Sequence, residues 1–459
     1  MAQFRKLLLD SLLGLALACA FAWPAWSDEP LPKGKLAEYI AQPDPSFAWR
    51  EVATGNLAGA EFVEYLLTSQ TWRGVTWKHQ LFVLRPTRMT RDTKHGLLFI
   101  HGGRWKSEYD GPRQEADPPK EALLFVRLAE TIGAPVAILR QVPFQPMFGD
   151  RREDALIAYT FEQYLRSGES DWPLLLPMTK SAVRAMDAVQ SIVKERWGAS
   201  INSFTVTGAS KRGWTTWLTA AADKRVMAIA PMVIDVLNMQ VQMEHQRATW
   251  GEFSDEIADY STLNLQDQLK TPRGQALLSI VDPYSYRRML TQPKLIFLST
   301  NDRYWPLDAL KNYWPGLPNP KHVLYVPNQG HGLSDPERVI TGLSAIHRYA
   351  ATGKTLPKTT WSFATTKDAL TIQVKPERAS ERVRVWSARS ATKDFRNSPW
   401  TDSDCSKAKD GYACSTERGK EGYTAAFAET SFKDEGGPAF STSTTVCITG
   451  PNATDAQGC

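Results

Sequence analysis

No closely spaced cysteine pair occurs in the 459-residue chain, and no histidine lies among the four cysteines gathered near its C-terminus. Structural zinc sites draw on short Cys-x-x-Cys or His-containing spacings, so that class is disfavoured. No cluster of Lys and Arg is interleaved with aromatics as in a surface that tracks a nucleic-acid backbone, and the formal net charge is a mild +5. Internal repeats and low-complexity tracts are absent, which sets aside solenoids and extended disorder. No apolar run reaches the roughly 20 residues of a membrane-spanning helix. No cofactor motif is visible, which leaves side chains to carry any chemistry.

What is present begins with the three parts of a secretory signal: Arg5 and Lys6, an apolar run from Leu12 to Phe21, and the small-residue site Ala25-Trp26-Ser27 before Asp28. The pattern predicts export, to the periplasm or the medium, with residues 1–27 removed. Ala16-Leu17-Ala18-Cys19 loosely resembles a lipoprotein cleavage site, but Ala16 stands where a larger aliphatic residue is usual. An exported chain meets an oxidising compartment, so Cys405, Cys414, Cys447 and Cys459 are expected as disulfides. Four cysteines allow three pairings, of which Cys405–Cys414 with Cys447–Cys459 closes the shortest loops.

The length exceeds what one hydrophobic core usually organises, and two domains are expected. Short aliphatic or β-branched runs at 97–100, 135–139, 204–207, 226–234, 294–299 and 322–326 read as buried parallel strands. Between two of them Val183, Met186, Val189, Ile192 and Val193 share one helical face, and Gly198 follows. Strands alternating with helices imply an α/β fold, a mostly parallel sheet covered on both sides, over residues 28–356. Residues 141–179 and 236–291 are too long for simple crossovers and are expected to form caps that select substrate. After Pro357 polar and apolar residues alternate, as in Thr360–Phe363 and Arg382–Ser387, so 357–459 is expected to be a small antiparallel β domain.

The sharpest chemical signal is Gly208-Ala209-Ser210-Lys211-Arg212-Gly213, between a strand and a helical run. A turn of that kind holds a nucleophile exposed in a strained conformation. The common pattern has glycine two residues after the serine; here that position is Arg212. A serine hydroxyl needs a neutral imidazole as base, oriented by a carboxylate, and in this fold the order is Ser, acid, His. Of the seven histidines only His331 lies in a glycine-flanked turn beyond a late strand. Asp302 follows the preceding strand and is the favoured acid, with Asp235 as competitor. Gly102 and Gly103, after 97–100, can supply one oxyanion amide, and Lys211 the other. An alternative within the enzymes is removal of dipeptides, for which a pair among Glu244, Glu252, Asp255 and Glu256 would hold a free amine. Sixteen tryptophans are many, and Trp250 or Trp305 could stack on a sugar or aromatic acyl group.

The stretches TSQTWRG at 68–74, WPLLLPMTKSA at 172–182, TGASKRGW at 207–214, PMVIDVLNM at 231–239, DPYSYR at 282–287 and VPNQGHG at 326–332 resemble the PhoPQ-activated pathogenicity-related proteins. That resemblance implies an α/β-hydrolase-like domain in exported proteins, with no defined natural substrate. Asn301-Asp302-Arg303-Tyr304-Trp305 departs from the family, whose members look more like G-D-E-F-F; the acid is kept and the pocket flank differs. The serine turn is also similar to that of glucuronoyl esterases, in which an Arg after the nucleophile assists the oxyanion, and Lys211 occupies that position. The expectation is a serine hydrolase acting on an ester or amide of a small molecule or peptide. A secreted binding or signalling protein on the same fold is the rival.

Overall fold

A sheet grows from the aliphatic runs in chain order: β1 (Ala48–Leu57), β2 (Ala60–Trp72), β3 (Val75–Arg85), β4 (His95–Ile100), β5 (Val136–Leu139), β6 (Ser203–Ala209), β7 (Val226–Met232), β8 (Lys294–Ser299) and β9 (Lys321–Val326). The structure, a computed structural model, describes residues 34–111, 116, 118–434, 436–451 and 459. The expected signal at 1–27, with Cys19, lies outside the described residues. In space the strands run β1-β2-β3-β5-β4-β6-β7-β8-β9. The first three and the β3–β5 contact are antiparallel, and β5 through β9 are parallel. An antiparallel start, one exchange of neighbours and a parallel remainder make this an α/β-hydrolase sheet with one extra leading strand. All six expected strands are present. Residues 48–85, where the sequence suggested no strand, form β1 to β3.

Parallel strands are buried on both faces, so their residues need not alternate; β5 and β8 are buried at every position. The helix Leu175–Trp197 places Val183, Met186, Val189, Ile192 and Val193 in the core. Gly198 ends it with φ 71° and donates to the Lys194 carbonyl, a conformation glycine adopts without a Cβ penalty. Both long insertions fold as helices, including Glu153–Ser167, Met239–Trp250 and Pro272–Val281. They meet where Tyr260 Oη donates to Asp154 Oδ1 over 2.9 Å.

Residues 357–459 are antiparallel throughout: β10 (Thr359–Thr365), β11 (Ala369–Pro376), β12 (Arg382–Ser390), β13 (Thr401–Asp404), β14 (Ser406–Ala408), β15 (Gly411–Glu417), β16 (Tyr423–Phe432), β17 (Phe440–Ser443) and β18 (Cys447–Thr449). They do not stand apart from the central sheet. β17 pairs with β9, Ser443 opposite Val323, and the sheet continues through β16, β12 and β13. Strands β10, β11, β15 and β14 make a second sheet. Leu370, Ile372 and Val374 of that sheet pack on Val383, Val385, Ala426 and Ala428. The change of character at Pro357 therefore marks a change of strand direction within one compact unit from Gly34 to Cys459. Among the described residues no helix is long and apolar enough to cross a membrane.

The cysteines pair as Cys405–Cys414 and Cys447–Cys459, the two shortest loops. Cys414 and Cys447 are buried in the core between the two sheets, and Cys405 and Cys459 pack against it. Reduction should lower stability by roughly 2–4 kcal/mol per bridge and speed proteolysis within 405–459, as read by limited digestion with and without reductant. Four free thiols in protein recovered from an oxidising compartment would overturn this.

Candidate active site

β6 ends at Ala209 and a helix starts at Lys211, so the chain reverses on Ser210. Ser210 has φ 58° and ψ −130°, a region costly for any residue with a Cβ. The turn tolerates no bulk: a Cβ on Gly208 would lie 2.8 Å from the Arg212 carbonyl oxygen, and one on Gly213 2.7 Å from Ile234 Cγ2. Gly213 thus permits the helix–strand approach. That frees the position two after the serine for Arg212, whose guanidinium meets both Glu153 oxygens at 2.7 Å and donates to the Val142 carbonyl at 2.6 Å. Its path crosses Gly102, where a Cβ would sit 2.5 Å from Nη2.

Asp302 and His331 leave the C-terminal ends of the neighbouring parallel strands β8 and β9. His331 Nδ1 donates to Asp302 Oδ2 at 2.9 Å and Oδ1 at 3.1 Å, the proton lying on the ring because an ionised carboxylate only accepts. The backbone N–H of Tyr304 donates to Asp302 Oδ1 at 2.8 Å, and its ring stacks on the imidazole with centroids 4.1 Å apart. His331 Nε2 is buried and has no hydrogen-bond partner among the described residues. The imidazole is therefore held at Nδ1 by Asp302 and on one face by Tyr304, with its second nitrogen uncommitted.

Asp235 does not join this pair. It is buried beyond β7 and accepts a 2.6 Å hydrogen bond from Tyr313. Burial, together with the charges of Asp302 and Asp308 and against the Tyr313 hydroxyl, pushes its carboxyl up to about 7.

Lys211 is neither solvated nor free. Its side chain is 8% exposed, with Nζ 3.0 Å from Asp154 Oδ2 and 3.2 Å from Glu153 Oε2. Burial would raise Glu153, but Arg212 and Lys211, with a hydrogen bond from Gln145, hold it down to about 2. The Lys211 amide opens its helix, where the first N–H groups lack intrahelical partners. Gly103, at φ 128°, lies in the turn after β4, and its carbonyl accepts from Gln145 Nε2 at 3.0 Å. The acidic pair beside the lysine, from the first insertion, was not among the expected residues; the adjacent charges Glu153-Asp154 were the only hint.

A cavity of about 670 Å³ counting its mouth is lined by Ser210, Lys211 and His331. Both insertions contribute walls, Asp154 and Phe161 from the first and Met239, Met243 and Tyr260 from the second. Tyr304 and Trp305 also line it, so the departure from the family at the acid's flank falls on cavity walls. Glu244, Glu252, Asp255 and Glu256 are not among its lining residues. Trp250 lies instead under Arg396, 4.2 Å from the ring centre.

The segment between β12 and β13 braces both turns. Asn301 Nδ2 donates to the Ser398 carbonyl at 2.9 Å. Asn328 Nδ2 donates to the Trp400 carbonyl at 3.0 Å and its Oδ1 accepts from the Trp400 N–H at 2.8 Å. Thr300 Oγ1 accepts from the Asn328 N–H at 2.9 Å, linking the turns directly.

A family model described as PhoPQ-activated pathogenicity-related protein matches residues 36–396. Autocrine proliferation repressor protein A of Dictyostelium discoideum is 32% identical over 418 residues, which cover 85% of this chain and 79% of that protein. Among solved structures, an acetyl xylan esterase from Paenibacillus sp. R4 is similar with a TM-score of 0.49 and 14% identity, covering 68% of this chain and 92% of its own. An S-formylglutathione hydrolase from Agrobacterium tumefaciens has a TM-score of 0.43 and 12% identity, covering 66% and 99%. Similarity at that level carries no argument about substrate.

The buried Asp235 yields a pH-dependent expectation. Its folded pKa, about 7, lies above the unfolded value near 3.9. The cost to folding is absent below the unfolded value, grows through the interval and is complete above pH 7. Asp235→Asn keeps an acceptor for Tyr313 and removes that cost. Its stability should exceed the parent's by on the order of 2–4 kcal/mol at pH 8 and match it near pH 4, as read by denaturant unfolding. A gain that is independent of pH would contradict the assignment.

Proposed function

The chain belongs to the PhoPQ-activated pathogenicity-related protein family, and on that footing we propose that it is an exported serine hydrolase cleaving an ester or amide through an acyl-enzyme. The observation that carries the reading is a base oriented by a buried carboxylate, its Nε2 uncommitted, on the same cavity as a serine in a strained strand-to-helix turn. Ser210 Oγ attacks the substrate carbonyl carbon and its proton passes to His331 Nε2. Asp302 stabilises the imidazolium that forms. The imidazolium then protonates the departing alcohol or amine as the bond to the carbonyl carbon breaks. Water, deprotonated by the same nitrogen, attacks the acyl-enzyme, and Ser210 leaves with the proton. Charge on the carbonyl oxygen is met by the Lys211 amide and an amide of the Gly102-Gly103 turn. The Lys211 ammonium is engaged by Asp154 and Glu153, so the backbone rather than the side chain is assigned this role.

Two disulfides fit an oxidising compartment and support export. Removal of dipeptides is the weaker enzymatic reading, since none of the four acids suggested for amine recognition lines the cavity. The name of the Dictyostelium relative describes an autocrine repressor of proliferation. That sustains the alternative of a secreted signalling protein without turnover, and reaction with an activated-serine probe separates the two.

Ser210→Ala should abolish labelling by a fluorophosphonate and leave the melting temperature nearly unchanged, because a turn hydroxyl contributes little packing. Labelling that persists at this site, or a parent protein that never labels, would remove the nucleophile. Asp302→Asn should keep the fold and cut kcat by roughly four orders of magnitude, since an amide favours the wrong tautomer and cannot stabilise the imidazolium. Asp235→Asn should cost far less on the same activated ester. A larger loss from Asp235→Asn would transfer the acid role to that residue.

A further inference from the structure

Among the described residues seven glutamines are buried, and six of them have both ends of the amide paired within the protein. Gln70 accepts from Tyr39 and donates to the Pro177 carbonyl, and Gln80 and Gln141 pair with each other. Gln145, Gln242 and Gln246 are likewise satisfied at both atoms. Gln266 is the exception. It is 6% exposed, and neither Oε1 nor Nε2 has a partner among the described residues. Leaving a buried donor and acceptor unpaired is unfavourable for each group.

Gln266 lies in the second insertion, on the short helix Leu265–Gln268, and lines the cavity that Ser210 and His331 also line. Its surroundings there are apolar: Leu265 and Leu269 flank it, with Ile257 and Met243 among the other walls. Trp305, also on this wall, has a buried indole N–H without a partner. An apolar wall with an unpaired amide set into it suits a ligand of the same make-up. A lone acceptor such as an ether or ester oxygen would leave Oε1 unpaired, and an alkyl chain would leave both atoms unpaired. Unlike a lone trans amide, whose C=O and N–H point in opposite directions, an extended acylated amino acid turns the N–H and C=O of one residue to the same side and can meet both atoms of Gln266 at once. Its carbonyl keeps a second lone pair for a further donor.

We infer that this cavity recognises an apolar group carrying an internal amide, an acylated amino-acid or peptidyl moiety, with Gln266 as the specificity-determining residue. The inference rests on reading the cavity as the substrate site of the proposed hydrolase.

The test compares two ligands of equal length, N-acetyl-leucine N-methylamide and its depsipeptide analogue with an ester oxygen in place of the leucine N–H, both on Ser210→Ala to prevent turnover, by calorimetric titration. The amide should bind at least about tenfold more tightly, because the ester cannot satisfy Oε1. Gln266→Leu should abolish or reverse that preference. Gln266→Met, closer in length and shape, serves as the second variant should the leucine protein fail to fold. Equal binding of the two ligands, or a preference that survives both substitutions, overturns the inference. Fluorophosphonate labelling of the parent keeps the two readings apart. An amide preference in a protein that does not label supports the recognition site while removing the hydrolase. Labelling without an amide preference removes Gln266 as the selector and leaves the hydrolase standing.

Discussion

Everything at the candidate active site depends on holding one imidazole still at the end of a sheet where regular hydrogen bonding has run out. β8 and β9 bring Asp302 and His331 to adjacent turns, but turns have no ladder to fix them. Side chains do that work here. Thr300 takes the Asn328 N–H, Asn301 and Asn328 reach the backbone of 395–400, and Tyr304 both binds Asp302 through its N–H and lies on the His331 ring. A ring fixed by its acid, by stacking and by two braced turns loses little further entropy on reaching a transition state, which is how positioning contributes to rate. The C-terminal β structure is thus part of the machinery of the turns, through the segment between β12 and β13.

How much of this could be read beforehand follows the range of the interactions. Ser210 was legible because the elbow is local: a strand, a tight turn and a helix within a dozen residues, with small neighbours demanded by the backbone itself. The pairing of His331 with Asp302 was legible because both follow successive late strands, where a fold of this order would put a base and its acid. The partners of Lys211 were not, because Glu153 and Asp154 lie almost sixty residues earlier, and nothing in a run of sequence reports a contact at that distance. β1 to β3 escaped notice for a related reason. Glu64 is fully buried in β2 and accepts from Gln80 Nε2 of β3, so a charged residue interrupts what would otherwise read as an apolar strand. The family resemblance supplied what the local pattern could not, that a serine turn lacking glycine at the usual position still belongs to a hydrolase-like chain.

The displaced glycine then has a physical account. With Gly213 carrying the close helix–strand approach, position 212 can bear a long side chain, and the arginine uses it to clamp Glu153 and the Val142 carbonyl across the Gly102 turn. One guanidinium therefore ties the helix after Ser210 to the first insertion and to the turn expected to supply an oxyanion amide. Buried ion pairs are weak evidence for stability, because desolvation offsets much of the attraction. Their better-supported consequence is geometric. Removing Glu153 would leave the Arg212 guanidinium without its carboxylate beside Ser210, so the arrangement admits few alternatives.

The same cluster also sets the electrical character of the cavity. Lys211 and Arg212 bring two positive charges next to Ser210, and Glu153 and Asp154 return two negative ones within ion-pair distance. The sum is close to neutral, and the remaining walls are largely hydrocarbon and aromatic. In such a setting the charges of Lys211, Arg212, Glu153 and Asp154 are already engaged with one another. Discrimination then has to come from shape and from the few polar atoms left unpaired, and unpaired buried polar atoms are the stricter filter. A missing methylene in an apolar pocket changes binding by only about 1–3 kcal/mol, whereas a site built to hydrogen-bond its ligand rejects one that lacks the matching group far more severely. If the inferred recognition holds, an apolar cavity beside a neutralised charge cluster, with an unsatisfied amide in its wall, is a selective surface rather than a permissive one.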